Sequence, residues 1–581
     1  MKITKLISLT LLVLVISTVA CKDSFLEVAP TGSLGEAELS TAAGLEGSLI
    51  ATYSMLLGRA GANGIANPFY SDASNWFWGS VLGGDANKGT NAGDQSQVNE
   101  IQAFSVQTNN SSVAQKYTIL YEGIARANST IRLAGMAEEG VSEAVKTRII
   151  AEARFLRGHY YFDMKKNFNN TPYVDESWDG IEPVTNDADL WPMIEADFQF
   201  AFNNLPETQS EVGRANKWAA GAYLGKTFLF QEKFSEAKGI FDQVITSGVT
   251  TGGQPYDLVP FYADAFRSTN DNSEESVFAA QAAAGTGSVQ NANANMVLNF
   301  PHGTAGPDRP GGCCGFFQPS FDLANSFRTD ANGLPLLDNS YNDPANALVT
   351  DLGLQSGDAF TPDDGNLDPR LDHSIGRRGI PFLDWGPHPG FDWIRDQAYG
   401  GPYSPKKFMY YQAGEGTEND ASSWTPGYTA VNYNIIRFAD VLLMAAEAEA
   451  ELNNLPAALA LVNRVRTRAI NSPVQNAGGS DAANYVINTY TAFANQDEAI
   501  TAVRFERKLE LSGEGHRFYD LVRWGIASDV LNAYLQHEDQ FLNSPFAGAS
   551  FTANKNEYLP IPQNEIDLQG KDVLKQNNGF N

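Results

Sequence analysis

Residues 213–247 read GRANKWAAGAYLGKTFLFQEKFSEAKGIFDQVITS. Leu224, Gly225, Phe228, Ala237 and Phe241 fall at tetratricopeptide spacings, where small residues let two antiparallel helices approach closely. The stretch predicts a helical hairpin ended by Gly248. Upstream, Val145, Ile149, Ala153, Leu156, Tyr160 and Met164 recur at intervals of three and four, the apolar stripe of one long helix. Asn169, Asn170 and Pro172 stop it. Downstream, Asn434 to Asn453 is alanine-rich and reads as helix. Pro456 can open the next helix in its first turn, and Ala458, Val462 and Val465 repeat the hairpin spacing. Further helical segments run from about 497 to 511 and 516 to 531. The fold class expected is mainly α: a tetratricopeptide-like helical superhelix, with its scaffold over about 33–248 and 434–531.

Between these blocks the pattern changes. Residues 249–433 are rich in Gly, Pro, Asn and Asp without sustained periodicity, and 59–110 is a shorter region of the same kind. Long aperiodic stretches are usually functional or disordered, and their many aromatics argue against disorder. The expected organisation is one domain over 21–581: a rigid scaffold carrying long, irregular ligand-binding loops, with a tail at 532–581. The balance of 40 Lys and Arg against 68 Asp and Glu gives a net charge of −28, which disfavours nucleic acid as a partner. Three Cys are too few for a disulfide scaffold or a four-thiolate zinc site.

Residues 1–20 read as a signal peptide. Lys2 and Lys5 form a charged start, and Leu6 to Ile16 an apolar run too short to span a bilayer. Thr18-Val19-Ala20-Cys21 resembles the lipobox of a bacterial lipoprotein, with Thr18 in a place usually held by Leu. On that reading Cys21 carries the lipid anchor, and two or more acyl chains hold the protein stably on a membrane. The alternative is ordinary secretion with a free thiol. Lys22-Asp23 resembles the surface-export signals of Bacteroidetes.

Four stretches carry a family resemblance: EARFLRGHYYFDMKKNFNNTPYV at 152–174, IRFADVLLMAAEAEAELNNLPAALALVNRVRTRA at 436–469, FERKLELSGEGHRFYDLVRWG at 505–525 and EYLPIPQNEIDLQGKDVLKQNNGF at 557–580. Together they resemble the SusD/RagB family of outer-membrane nutrient-uptake lipoproteins, in order from Cys21 to the C-terminus. Asn169-Asn170-Thr171 departs from a glycine-rich turn more usual there. The resemblance implies a helical fold without catalysis or cofactor. It further implies an oligosaccharide or polysaccharide ligand, and pairing with a SusC-like TonB-dependent transporter barrel over which the lipoprotein sits as a lid.

Glu506, Glu510 and Glu514 repeat at i, i+4 beside Arg507, His516, Arg517, Asp520 and Arg523; an interhelical ion-pair network accounts for them better than acid–base catalysis. The six His show no metal spacing, and no nucleophile motif is present. Asp363-Asp364-Gly365-Asn366 and 339–343 offer oxygen ligands, but polar turns explain them and no EF-hand pattern fits. Trp191, Trp218 and Trp524 read as helix packing, and Trp178 as ambiguous. In the loops, Trp76, Trp78, Trp385 and Trp393, with Phe316 and Trp424 behind them, are candidates for stacking on sugar C–H faces. Asp72, Asn75, Asp384, Asp392 and Arg395 are candidates for hydroxyl contacts. The competing account is that these rings staple their loops down. Cys313 and Cys314 are adjacent within a Gly-rich, aromatic turn that aligns with one near the family's sugar site; they form either a vicinal disulfide or two buried thiols.

Residues 366–410 hold six basic residues against five acidic ones, locally near-neutral in an acidic chain and compatible with an acidic sugar. The function expected is capture of a glycan by a surface-exposed outer-membrane lipoprotein. The rival readings are a transporter lid for a non-glycan nutrient such as a peptide, and a lipid-anchored glycosidase. Cys21→Ser should move the protein from the membrane to the soluble fraction of fractionated cells; unchanged membrane retention after a wash that strips protein partners would contradict the anchor.

Overall fold

The computed structural model describes residues 39–58, 67–293, 295–303, 309–542 and 544–580. The signal peptide, Cys21 and part of the 59–110 loop lie outside the described residues. The longer helices are α1 (Ala42–Tyr53), α2 (Ser111–Gly135), α3 (Glu143–Phe168), α4 (Trp191–Asn204), α5 (Lys217–Leu229), α6 (Phe234–Ser247), α7 (Phe438–Glu451), α8 (Leu455–Ile470), α9 (Gln496–Glu510), α10 (Arg517–Arg523), α11 (Ala527–Glu538) and α12 (Gln563–Gln569). From α2 each helix packs on the next through α8, and α9 closes against α7 and α8. The series is a tetratricopeptide-like superhelix.

Local sequence explains its joints. Ser142 caps α3 by accepting from the Val145 N–H, and Asn169, at a positive φ of 58°, ends it at the expected Asn-Asn-Thr-Pro stop. In the α5–α6 hairpin, a Cβ on Gly225 would lie 2.5 Å from the Phe241 ring, so only glycine allows that approach. Pro456 occupies the first turn of α8, where its missing N–H costs nothing.

The expected helix from Asn434 differs at its start. Tyr433–Arg437 is extended and pairs antiparallel with Ser276–Ala280, and helix begins only at Phe438. Consecutive branched residues, Ile435 and Ile436, favour the strand, and the SVFAA partner supplies its backbone hydrogen bonds. These strands, and a second pair described below, tie the loop regions to the scaffold.

The acidic i, i+4 repeat lies at the seam. Arg437 reaches Glu275 (2.7 Å), Glu510 (2.6 Å) and Glu514 (2.7 Å). Arg468 binds Glu275 and Glu510. Arg370 binds Asp368, Glu506 and Glu510, while Arg466 takes Glu506 and Lys407 takes Glu514. Five cations thus meet five carboxylates, all buried. Burial pushes the Glu510 carboxyl up, but Arg468, Arg437 and Arg370 outweigh it and hold it well below the usual carboxylate range. Glu514 is lowered in the same way, burial being overcome by Arg437 and Lys407.

A carboxylate depressed on folding stabilises the protein above its unfolded pKa, and that stabilisation is lost as pH falls through the folded value. The thermal midpoint should therefore fall as pH drops below the ordinary glutamate value of 4.5. Glu510→Gln should cost about 3–5 kcal/mol at neutral pH, because it strands buried guanidinium groups, and should make the acid limb shallower. A near-neutral effect in denaturant titrations would show that the network carries little.

Candidate functional site

The two loop regions meet along a short antiparallel ladder. Ala86–Gly89 pairs with Phe316–Pro319, setting Gly89 opposite Phe316. Beside it the chain turns through Cys313 and Cys314, whose sulfurs are bonded to each other. Hydrogen bonds to backbone atoms converge on this turn. Cys313 N–H donates to Gly303 O (2.9 Å), and Gly315 N–H to Phe300 O (3.0 Å). Gly311 N–H donates to the Tyr410 hydroxyl (3.1 Å), and Thr425 Oγ1 donates to Gly312 O. His302 N–H donates to Trp393 O at 2.8 Å, tying in 391–397. Arg395 crosses back to the first loop, donating to Thr90 Oγ1 (2.8 Å) and pairing with Asp94. Cys313 stays half-buried at the surface, while Cys314 faces the core.

Most of the candidate stacking residues are inside. Trp76 and Trp78, in a helical turn over Trp76–Val81, are 1% exposed. Their indole N–H groups donate to Phe69 O (2.7 Å) and Tyr70 O (2.6 Å). These two rings are corrected to loop staples: they form the loop's own core and satisfy its carbonyls. Phe316 is fully buried in its strand. Trp385 donates to Tyr410 O (3.1 Å), and Trp393 packs edge-on against Phe382 and His388; both are buried. A ring enclosed on both faces has none to offer a sugar, so Phe316, Trp385 and Trp393 are corrected likewise.

The polar candidates divide as well. Asp72 is buried and accepts from Ser74 N–H (3.1 Å) and Oγ (2.6 Å). Asn75, left-handed at φ 50°, donates to buried Asp163 at 3.2 Å. Both are corrected to structural roles in a turn held over α2 and α3. Asp384 is exposed, but its carboxylate accepts the Gln412 and Ala413 N–H groups (2.6 and 2.9 Å). Asp392 and Arg395 are exposed beside the turn. Trp424 is 56% exposed, and its N–H donates to the Tyr428 hydroxyl at 3.0 Å, which fixes the ring while a face stays open.

The surface that remains is Cys313 at the half-buried turn, Arg395 and Asp392 on one side, and Trp424 linked to the same turn through Thr425. An open groove of about 380 Å³ continues past Arg395 between Leu352, Phe391, Gln397 and Phe541. Sequence reading gave His302, Asp94 and Arg309 no role, because a lone titratable residue in a loop carries no spacing signal. Burial first, then Arg395 and Arg309, hold the His302 ring below the ordinary histidine value. Asp363 is taken by the guanidinium of Arg328 (2.8 Å twice), a turn contact. Among the described residues no group of three His, Cys, Asp or Glu could hold a metal ion. A second and larger groove, of about 640 Å³, lies on the helical side between α2, the 172–184 loop and α12. Trp178, left ambiguous by sequence, stands 43% exposed on its rim.

The structure is a helical-hairpin superhelix whose two loop systems are knit into one surface. The chain belongs to the SusD family: residues 274–580 match the model described as the SusD family, and 80–229 match one described as starch-binding associating with outer membrane. A SusD-like protein of Formosa agariphila is 25% identical over 591 residues, covering 98% of this chain and 99% of its own. A SusD-like protein of Bacteroides ovatus is 26% identical over 592 residues, covering 96% and 92%. Among solved structures, a SusD homolog from Bacteroides thetaiotaomicron superposes with a TM-score of 0.67 at 22% identity, covering 94% and 99%. Surface glycan-binding protein A of that organism, in complex with laminarihexaose, gives 0.61 at 21% identity, covering 93% and 100%.

Proposed function

We propose that this protein is a non-catalytic, lipid-anchored outer-membrane lipoprotein that captures an oligosaccharide or polysaccharide at the cell surface and delivers it to a SusC-like TonB-dependent transporter. The observation that carries the reading is the exposed face around Cys313, Arg395 and Trp424, built where the two loop systems meet and held by a rigid helical frame. A fixed, half-open indole beside polar side chains suits the C–H faces and hydroxyls of a sugar. The family supports the reading, as does the laminarihexaose complex of a structural neighbour. The disulfide of Cys313 and Cys314 adds a stiff apolar platform to that face. On that face Asp94 is paired with Arg395, and the Asp384 carboxylate accepts two backbone N–H groups.

Transport needs a channel, and among the described residues no helix is long and apolar enough to cross a membrane. A separate barrel is the partner this reading requires. A second reading, a transporter lid for peptides, has one observation in its favour: the larger groove between α2 and α12 exposes Trp178, Ile181 and Leu568.

The test is a glycan array on the chain lacking residues 1–21, followed by calorimetric titration with the best saccharide. Trp424→Ala should weaken binding by about 1–3 kcal/mol and leave the thermal midpoint unchanged. Trp76→Ala should instead cost about 3–5 kcal/mol of stability, the price of emptying a core ring. Absence of binding to every saccharide, or full affinity in Trp424→Ala, would contradict the reading.

A further inference from the structure

The loop face does not end at Arg395. The open groove of about 380 Å³ runs on from it, and Leu352, Phe391 and Phe541 form its apolar lining. Phe541 follows α11 and is 39% exposed. Its ring packs on Phe321 with centroids 4.6 Å apart, and His537 stands 5.2 Å away at a tilt. The ring is thus backed by neighbours and still open to the groove, as Trp424 is fixed by Tyr428 and still open. Three large aromatic side chains are exposed among the described residues: Trp178, Trp424 and Phe541. Trp178 belongs to the helical-side groove. The other two lie on either side of the disulfide turn. Thr425 ties Trp424 to Gly312, and a Cβ on Gly315 would lie 3.7 Å from that of Arg395, which lines the groove holding Phe541. A single exposed apolar residue needs no explanation, but here three share one groove, of a volume within the range of about 300–1,000 Å³ common to ligand sites.

The groove is preformed. Gly353 N–H donates to Gln397 Oε1 (2.7 Å), and Gln397 Nε2 to Asp351 O (3.1 Å). Asp392 N–H donates to Ser356 Oγ (2.9 Å). The 351–356 loop is pinned in this way to 391–397 from both ends, so little order has to be gained on binding. Groups for sugar hydroxyls stand on the rim. Arg395 has only Nη1 engaged among the described residues, by Thr90 and Asp94. Asp396 accepts the Tyr399 N–H through Oδ1 (3.2 Å), and Gln355 is exposed.

Charge at the junction balances. Lys88, Arg309 and Arg395 are matched by Asp94, Asp392 and Asp396, three against three. An acidic sugar gains no net attraction there, on a chain of net −28. The C–H face of a neutral sugar does gain, by dispersion against the rings of Phe391 and Phe541.

Resting on the glycan-capture reading, we propose that the groove between Leu352, Phe391 and Phe541 is a second sugar subsite, and that a neutral glycan chain runs from Trp424 across Cys313 and Arg395 into it. Neither end of this path is closed, so the protein holds an internal run of several sugar units and not a chain end. Phe541 sets the preference for long chains over short ones.

The test is an array of laminari-, xylo-, malto-, manno- and galacturono-oligosaccharides, each as dimer and hexamer, followed by calorimetric titration of the mature chain with the best hexamer. The proposal expects a neutral hexamer to bind about tenfold or more tightly than its dimer. A bulky dye coupled to either end of that hexamer should leave its affinity unchanged. Phe541→Ala should weaken hexamer binding about tenfold, with the thermal midpoint unchanged. Should that variant fold poorly because Phe321 is uncovered, Phe391→Ala and the dimer-to-hexamer ratio of the unmodified chain decide. Equal affinity for dimer and hexamer, full hexamer affinity in Phe541→Ala, loss of binding on capping one end, or preference for the galacturonate hexamer would overturn this subsite and leave glycan capture standing. No binding to any arrayed saccharide would overturn glycan capture, and this subsite with it.

Discussion

The buried contact of Arg437 with Glu510, Glu514 and Glu275 constrains everything else in this structure. Charges removed from water are costly unless each finds opposite charge and good hydrogen bonds. Here the acids come from α9, from the turn after it and from the entry to a strand, while the bases come from the opposing strand, from α8 and from the 366–410 loop. None of these segments can leave without stranding a charge. The loops are therefore pinned to the helical frame at their base, although they hold little regular structure. Gly515 tightens the same seam: a Cβ on Gly79 would lie 1.8 Å from its carbonyl oxygen, so the first loop packs backbone to backbone on the turn that follows α9.

Pinning at the base explains how the outer surface can be irregular and still ordered. The ladder between Ala86–Gly89 and Phe316–Pro319 lies just outside the network, and the disulfide turn, Arg395 and Trp424 lie outside that. Each layer fixes the next: ion pairs hold strands, strands hold turns, and turns aim the few exposed side chains. Binding surfaces on loops need such support, because loop ordering at the moment of binding subtracts from affinity.

Much of the scaffold was legible in the sequence because helix burial has a period. Val145 through Met164 and Leu224 through Phe241 announce which face goes inward, and Asn169, Pro456 and Gly225 mark stops, starts and close approaches. The start of α7 was not legible, since a strand at 433–437 depends on a partner more than a hundred residues away. The loop aromatics misled for a related reason. A loop region of this size needs a core of its own, and tryptophan serves that need with a large apolar area and an N–H for a buried carbonyl. Trp76, Trp78, Trp385 and Trp393 do this. Nothing in their spacing distinguishes them from Trp424, which differs only in where the fold leaves it. His302 was silent for the converse reason: the fold brings it and Arg395, far along the chain, to either side of Gly315.

The central claim is that ligand binds at the loop junction above the charge network and not in the larger groove between α2 and α12. Hydrogen–deuterium exchange of the mature chain, with and without the best saccharide from the array, tests it directly. The account predicts new protection in segments 88–94, 298–303, 311–318, 391–397 and 424–428, with exchange at 117–125, 172–184 and 565–569 unchanged. Protection confined to the latter three segments would contradict it.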